Sequence, residues 1–223
     1  MRTALIALLL LTTPCTALAS DADTKTSVMV IGDSHIERLG PMIDRAVEHE
    51  GYESLGHLAR RGWSTARYIR EADLVERLTE NGTPDIVVIS LGGNDRCRSE
   101  DRYREQLTWI VDRVREAGVQ RIVWLGPAAS DMERSERAQM VGEWHERMAE
   151  WQSQMLPELG VEWIDSRPLT QSGHGMDGIH FTGRAYSTWM RGALREANIL
   201  PAEVNVDAPV DAPVLARTGL EVV

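Results

Sequence analysis

At 223 residues the chain is long enough for one domain with a sizeable core, and its 43% hydrophobic and 26% charged residues are the balance of a soluble globular protein. The net charge of −10 excludes a protein held on nucleic acid by a general basic field; Lys25 is the only lysine, so the positive charge is almost all arginine. Arg2, the apolar run from Ala4 to Leu11 and the close at Ala17-Leu18-Ala19 have the order of a secretory signal peptide, with cleavage expected after Ala19. The run is short for a bilayer span. The expected organisation is a signal peptide over 1–19, a flexible lead over 20–27, one domain over 28–200 and a tail over 201–223. The tail repeats Asp-Ala-Pro-Val within 204–214 and reads as extended and loosely attached. Export to the periplasm or the medium follows, with no stable membrane insertion once the signal is removed. Cleavage removes Cys15 and leaves Cys97 alone, so an internal disulfide is excluded and the domain relies on its core.

In chain order, Val28-Met29-Val30-Ile31 reads as a buried strand that ends at Gly32-Asp33-Ser34-His35. A helix is expected over 36–50, with Ile36, Leu39, Ile43 and Val47 on one face and Gly51 as its stop. A weak strand near 53–58 leads to the loop Arg60-Arg61-Gly62-Trp63-Ser64. The spacing of Ile69, Leu74, Val75 and Leu78 predicts a single helix over 65–80. The clearest strand is Asp85 to Leu91, a β-branched run as expected of a parallel strand buried on both faces, and it ends in Gly92-Gly93-Asn94-Asp95. A helix over about 99–117 carries Tyr103, Leu107, Ile110, Val111 and Val114 inward, and a strand from Val119 to Leu125 follows. A long helix over roughly 133–156 has a Met–Trp stripe, Met140, Trp144, Met148, Trp151 and Met155, read as core. A short strand over 161–165, a loop from Ser166 to Thr182 and a helix from Gly183 to about Asn198 complete the domain. Strands alternating with helices specify an α/β fold, a five-stranded parallel sheet in a three-layer, flavodoxin-like arrangement.

In such a sheet the strand carboxyl ends share one edge, so loops distant in sequence can meet there. Three of them carry chemistry: Gly32-Asp33-Ser34, Gly92-Gly93-Asn94-Asp95 and Asp177-Gly178-Ile179-His180. A serine hydroxyl attacks well only when a base takes its proton. His180 suits that task, and Asp177, three residues earlier, can hold its tautomer and stabilise its cation. Candidate oxyanion donors are the Ser34 N–H, the Gly62 N–H and the Asn94 amide. By itself Gly-Asp-Ser reads equally as a helix cap supplied by Asp33 or Ser34. Asp33 and Asp95 are expected to tie loops together. His174 reads as a loop or rim residue, and His49, His57 and His145 as surface or ordinary packing residues. His35 fits a pocket wall or a packing position against the first helix. Arg60, Arg61, Arg96 and Arg98 stand in two of the site loops, where arginine suits an anionic substrate. No cluster has metal-site spacing, and no cofactor is expected.

Together these motifs make the chain resemble the SGNH hydrolases, or GDSL esterases/lipases, over about 28–197. The resemblance implies Ser34 as nucleophile, Gly62 and Asn94 completing the oxyanion hole, His180 as base and Asp177 as its orienting acid. It also implies the sheet order 2-1-3-4-5 and no metal. His35 replaces the usual leucine after Gly-Asp-Ser, which looks more like the members that handle O-acetyl groups on envelope polysaccharides. With short loops and no long apolar tunnel in the sequence, the expected activity is hydrolysis of short acyl esters, acetyl above all, on a carbohydrate or other small-molecule substrate. An O-acyltransferase on a glycan is the alternative, and a glycan- or protein-binding module on the same fold a third reading. Oligomeric state and tail function have no signature.

Overall fold

The computed structural model describes residues 25–202. The expected signal peptide, most of the lead and the tail beyond residue 202 lie outside the described residues. Five strands, β1 (Ser27–Gly32), β2 (Glu53–Ala59), β3 (Ile86–Ser90), β4 (Arg121–Leu125) and β5 (Glu162–Ile164), form one sheet. All are parallel, in the order β2-β1-β3-β4-β5. Between them run α1 (Ile36–His49), α2 (Thr65–Glu71), α3 (Leu74–Thr79), α4 (Glu100–Glu116), α5 (Glu136–Glu158) and, after a 3-10 turn at Pro168–Thr170, α6 (Gly183–Glu196).

Strand alternation sorts the core into two layers. Val28, Val30, Val88, Val123 and Leu125 face α1 and α6, where Ile36, Leu39, Ile43, Tyr186 and Trp189 complete one cluster. Met29, Ile31, Val87, Ile89 and Trp124 face the other way, onto Tyr68, Leu74, Leu107 and Met148 from α2 to α5. β1 and β3 are buried at every residue, as a strand covered on both faces must be.

The register places the site. Gly32 pairs with Ala59 on one side and Ser90 on the other; Ser90 pairs with Leu125, and Leu125 with Ile164. These five residues form one row across the sheet, and every candidate site loop leaves from it or from the segment beyond it. Gly32 also allows a close approach. A Cβ there would lie 2.4 Å from Ser90 O and 2.5 Å from Ile36 Cγ1. Gly32→Ala is therefore expected to cost about 2 kcal/mol by overpacking. For a domain of this size that lowers the thermal midpoint by roughly 4–8 °C. An unchanged melting curve would show that the crossing is looser than its geometry.

Two expectations are corrected. The helix over 65–80 is two helices, because Ala72 is extended (φ −102°, ψ 126°) and the Asp73 side chain accepts from Glu76 N–H, capping α3. A good N-cap inside an apolar stripe starts a new helix with little loss of burial. The Met–Trp stripe is core only in part: Met148 and Met155 are fully buried, whereas Met140 is 51% exposed because it lies off the α5 face that buries Ala138, Val141, Gly142 and His145. α4, α5 and α6 start at the serine or threonine caps Ser99, Ser135 and Thr182, each accepting from the N–H three residues on.

Candidate active site

β1 ends in a turn closed by Ile36 N–H donating to Asp33 O at 3.1 Å. Ser34 stands in that turn, immediately before α1. Its side chain does not cap the helix: the N-cap position is His35, with no side-chain cap bond, and Asp33 Oδ1 instead accepts the His35 N–H at 3.0 Å. The Ser34 hydroxyl is thus left for another partner. That partner is His180, whose Nε2 lies 3.0 Å from Ser34 Oγ although 146 residues separate the two.

His180 is held by its own loop. Asp177 Oδ2 lies 2.6 Å from His180 Nδ1, and Asp177 Oδ1 accepts the N–H groups of Ile179 (3.0 Å) and His180 (2.9 Å). Gly178, at φ +70°, allows this tight return, and a Cβ there would strike Arg134, Ala138 and Asp131. The loop docks on the β4–α5 connection through Asp131 N–H to Gly178 O (2.8 Å) and through His174 Nε2 at 3.0 Å from Ala129 O. Partial burial pushes the Asp177 carboxyl up, but the bonds from His180 and Ile179 outweigh it and hold the group well below the usual carboxylate range. An ionised Asp177 accepts Nδ1–H, so the His180 Nε2 lone pair faces the serine hydroxyl. The two side chains remain 43% and 42% exposed, so the site opens directly to solvent.

Two more loops are tied together beside Ser34. Gly32 O accepts the Arg60 N–H (2.9 Å) and the Tyr68 hydroxyl (2.7 Å). Arg60 to Trp63 form a turn closed by Trp63 N–H to Arg60 O at 3.1 Å, with Gly62 third at φ +70°, the position where a type II turn calls for glycine. Asn94 sits in the turn Gly92–Asp95 and its Nδ2 donates to Asp33 Oδ2 (3.0 Å) and, at greater length, to Trp63 O (3.3 Å). Among the described residues the N–H groups of Ser34 and Gly62 have no acceptor.

Behind this set lie two buried acids, as loop ties. Asp33 is 1% exposed, and burial pushes its carboxyl up to about 7, with nearby Asp95 adding to the effect and the His35 N–H and Asn94 amide opposing it. Asp95 binds the Thr65 N–H and hydroxyl (2.8 and 3.0 Å) and the Tyr103 hydroxyl (3.2 Å), and burial raises it to about 6. His35 is 5% exposed; its Nδ1 meets the Tyr186 hydroxyl at 3.1 Å, and its ring centroid lies 5.2 Å from that of His180 and 5.3 Å from that of Trp189. Burial, with the His180 and His145 charges adding to it, lowers its pKa to about 3, so it is a neutral wall behind the His180 ring.

The arginines divide. Arg61 pairs with Glu37 of α1 at 2.5 Å and is mostly exposed. Arg60 lies over the Trp63 ring at 5.6 Å. Arg96 reaches back to Gly93 O (3.2 Å) and Asp95 O (2.7 Å), and lies 5.9 Å from the Trp144 ring centroid. Sequence reasoning missed the tie made by His145. Its ring nitrogens lie 2.7 Å from Ala128 O and 3.0 Å from Gly93 O, linking α5 to the Asn94 loop, and no spacing in the chain announces it. His57 pairs with Asp44 at 2.6 Å, away from this set. Among the described residues no group of three or more His, Cys, Asp or Glu could hold a metal ion, and no helix is long and apolar enough to cross a membrane.

The sequence profile of the GDSL-like lipase/acylhydrolase family matches residues 30–188, a span that contains every loop described above. The chain belongs to that family. Membership makes it a carboxylic ester hydrolase with the SGNH fold. Similar solved structures include Est24, a carbohydrate acetylesterase from Sinorhizobium meliloti (17% identity, TM-score 0.62, covering 79% of this chain and 100% of that one). A protein from Slackia heliotrinireducens classed as an SGNH hydrolase aligns at 17% identity and TM-score 0.61, over 76% of this chain and 99% of its own. A catalytic mutant of Axe2, an acetylxylan esterase from Geobacillus stearothermophilus, aligns at 15% identity and TM-score 0.58, over 77% and 93%. At these identities the likeness is one of fold. No curated protein sequence matches the chain significantly.

Proposed function

We propose that this family member is an exported serine esterase that removes short acyl groups, acetyl above all, from a carbohydrate. The supporting observation is the continuous chain Ser34 Oγ, His180 Nε2, His180 Nδ1 and Asp177 Oδ2, with steps of 3.0 and 2.6 Å. His180 takes the Ser34 proton as Oγ bonds to the ester carbonyl carbon. Asp177 stabilises the imidazolium and keeps its tautomer. The alkoxide that develops on the carbonyl oxygen meets the free N–H groups of Ser34 and Gly62 and the Asn94 amide hydrogen that otherwise takes the longer bond to Trp63 O. Collapse expels the sugar alcohol, which receives the proton from His180, and leaves an acyl-serine. Water, deprotonated by the same His180, then releases the carboxylic acid and restores Ser34.

The open site supports a short acyl group: an exposed His180 and Asp177 offer little wall against which a fatty chain could be buried. Two measurements test the reading. A fluorophosphonate probe is expected to label the peptide bearing Ser34, and an excess of acetyl ester to slow that labelling. Across p-nitrophenyl esters from acetyl to octanoyl, kcat/KM is expected to be highest for acetyl and to fall about tenfold or more by octanoyl. Labelling elsewhere, or a preference for octanoyl, would refute it.

A further inference from the structure

Beside the Asn94 loop lies a cavity of about 440 Å³, lined by Arg96, Arg98 and Arg102 together with Ser64, Gln106 and Asp95. Its volume is in the range of small-ligand sites, roughly 300–1,000 Å³. Two of its lining residues directly follow residues of the proposed reaction centre. Ser64 succeeds Trp63, Asp95 succeeds Asn94, and Trp63 O and Asn94 Nδ2 are themselves 3.3 Å apart. The cavity therefore lies on the Asn94 side of the proposed reaction centre.

The charge of the wall is unusual for this chain. The protein carries a net −10, and many of its arginines are committed to carboxylates, as in Arg61–Glu37, Arg104–Glu158 and Arg121–Glu162. Neither Arg98 nor Arg102 has an ion-pair partner among the described residues. Arg96 is held by backbone carbonyls, with its guanidinium near the Trp144 ring. The one acid in the wall, Asp95, is 2% exposed, and its oxygens are taken by Thr65 and Tyr103. Glu100 and Asp101, on the first turn of α4, do not line the cavity. Three arginines against one occupied carboxyl leave a site of net positive charge, open to an oxyanion that Arg98 and Arg102 can grip through paired N–H bonds.

We infer that this cavity is a subsite for an oxyanion, a carboxylate or a phosphate, borne by the glycan that carries the ester. The substrate class is then an acylated acidic glycan rather than a neutral one. The inference rests on the esterase reading above for the link to turnover, though not for binding itself. Arg98 and Arg102 are specificity residues that set which polymer reaches Ser34.

The test compares O-acetylated oligogalacturonate with O-acetylated xylo-oligosaccharide of equal length. For the wild type at low ionic strength, kcat/KM is expected to be about tenfold or more in favour of the acidic oligomer, narrowing as sodium chloride screens the pair. In an Arg98→Ala, Arg102→Ala double variant that ratio is expected to fall by about tenfold, and in Arg77→Ala, remote from the cavity, to hold. Calorimetric titration of the Ser34→Ala protein with unacetylated tetragalacturonate, and separately with inorganic phosphate, reads binding without turnover. Binding of the first alone identifies a uronate carboxylate; binding of the second alone identifies a phosphate-bearing glycan. Binding of neither, or binding that the double variant leaves intact, overturns the subsite. Binding with no hydrolysis of any acetyl ester by the wild type would instead overturn the esterase reading and leave the oxyanion cavity standing.

Discussion

Ser34→Ala is expected to lower kcat/KM for p-nitrophenyl acetate by about 10⁴-fold or more, with His180→Ala close behind and the double variant no worse than either single. The groups act as one unit: the serine is a poor nucleophile without a base 3.0 Å away, and the base has nothing to deprotonate without the serine. A residual rate over water is expected to survive, because the donors around the carbonyl oxygen remain. Asp177→Asn is expected to fall in the same range, since an amide cannot hold Nδ1–H and stabilise the imidazolium as a carboxylate 2.6 Å away does. Stability separates this role from capping. A serine that caps a helix is worth about 1 kcal/mol, but the Ser34 side chain makes no cap bond to α1. Its removal is expected to leave the melting temperature within a degree or so. Steady-state rates and a melting curve on the same preparation check both statements. Equal rates in wild type and Ser34→Ala would remove the serine mechanism, and a large loss of stability would restore the cap.

Asn94→Ala is expected to lower kcat by about 10²–10³-fold with KM little changed, the cost of losing one oxyanion donor, roughly 3–4 kcal/mol. Asp33 acts through Asn94 as a positioning residue. Its Oδ2 holds the amide that faces the site, at 3.0 Å. The ionised carboxyl accepts more strongly at both oxygens, and burial pushes its pKa up to about 7. The activity is therefore expected to rise as pH rises through about 7, as the Asp33 carboxyl ionises. If Asp33 works only through Asn94, Asp33→Asn combined with Asn94→Ala is no slower than Asn94→Ala alone, and a multiplicative loss would contradict this.

Stability has the opposite slope. A carboxyl with a folded pKa above its unfolded value binds a proton more tightly in the folded state. Stability is therefore lost as pH rises from about 4 to about 7. Asp33→Asn is expected to flatten the fall of the melting temperature between pH 5 and pH 8, while Asp95, raised to about 6, keeps part of it. An unchanged slope in the variant would show that Asp33 titrates near its ordinary value. Asp177, held low, contributes the other sign: its stabilisation is present above about pH 4 and is lost in acid.

Most of the architecture was legible in the sequence because it is periodic. The unbroken apolar run from Val28 to Ile31 and the β-branched run before Ser90 locate strands buried on both faces, and the 3.6-residue stripes locate the helices between them. The break between α2 and α3 was not legible. Ile69, Leu74, Val75 and Leu78 keep a helical spacing across it, and a cap at Asp73 competes locally without disturbing that pattern. Met140 was misread for a related reason: it falls near the Met–Trp spacing but off the face that carries Ala138, Val141, His145 and Met148, and packing decides which face of α5 is buried.

Chemistry-bearing residues were legible as types at strand ends, namely Ser34, Asn94, Asp177 and His180, because a parallel sheet delivers its strand carboxyl ends to one edge. Their mutual distances belong to the tertiary structure. The row Ala59, Gly32, Ser90, Leu125 and Ile164 sets the loops level, and the docking of Gly178 on Asp131 brings His180 to Ser34. The fate of each charge also depends on burial, which no local pattern encodes. Asp33 and His35 flank Ser34 in sequence and both are sealed from water, one raised toward neutrality and one lowered to a permanently neutral ring. Arg61 and Arg98 were indistinguishable as loop arginines. Only the folded chain sets Glu37 beside the first and leaves the second facing a cavity, because pairing depends on which surfaces the fold brings within 4 Å.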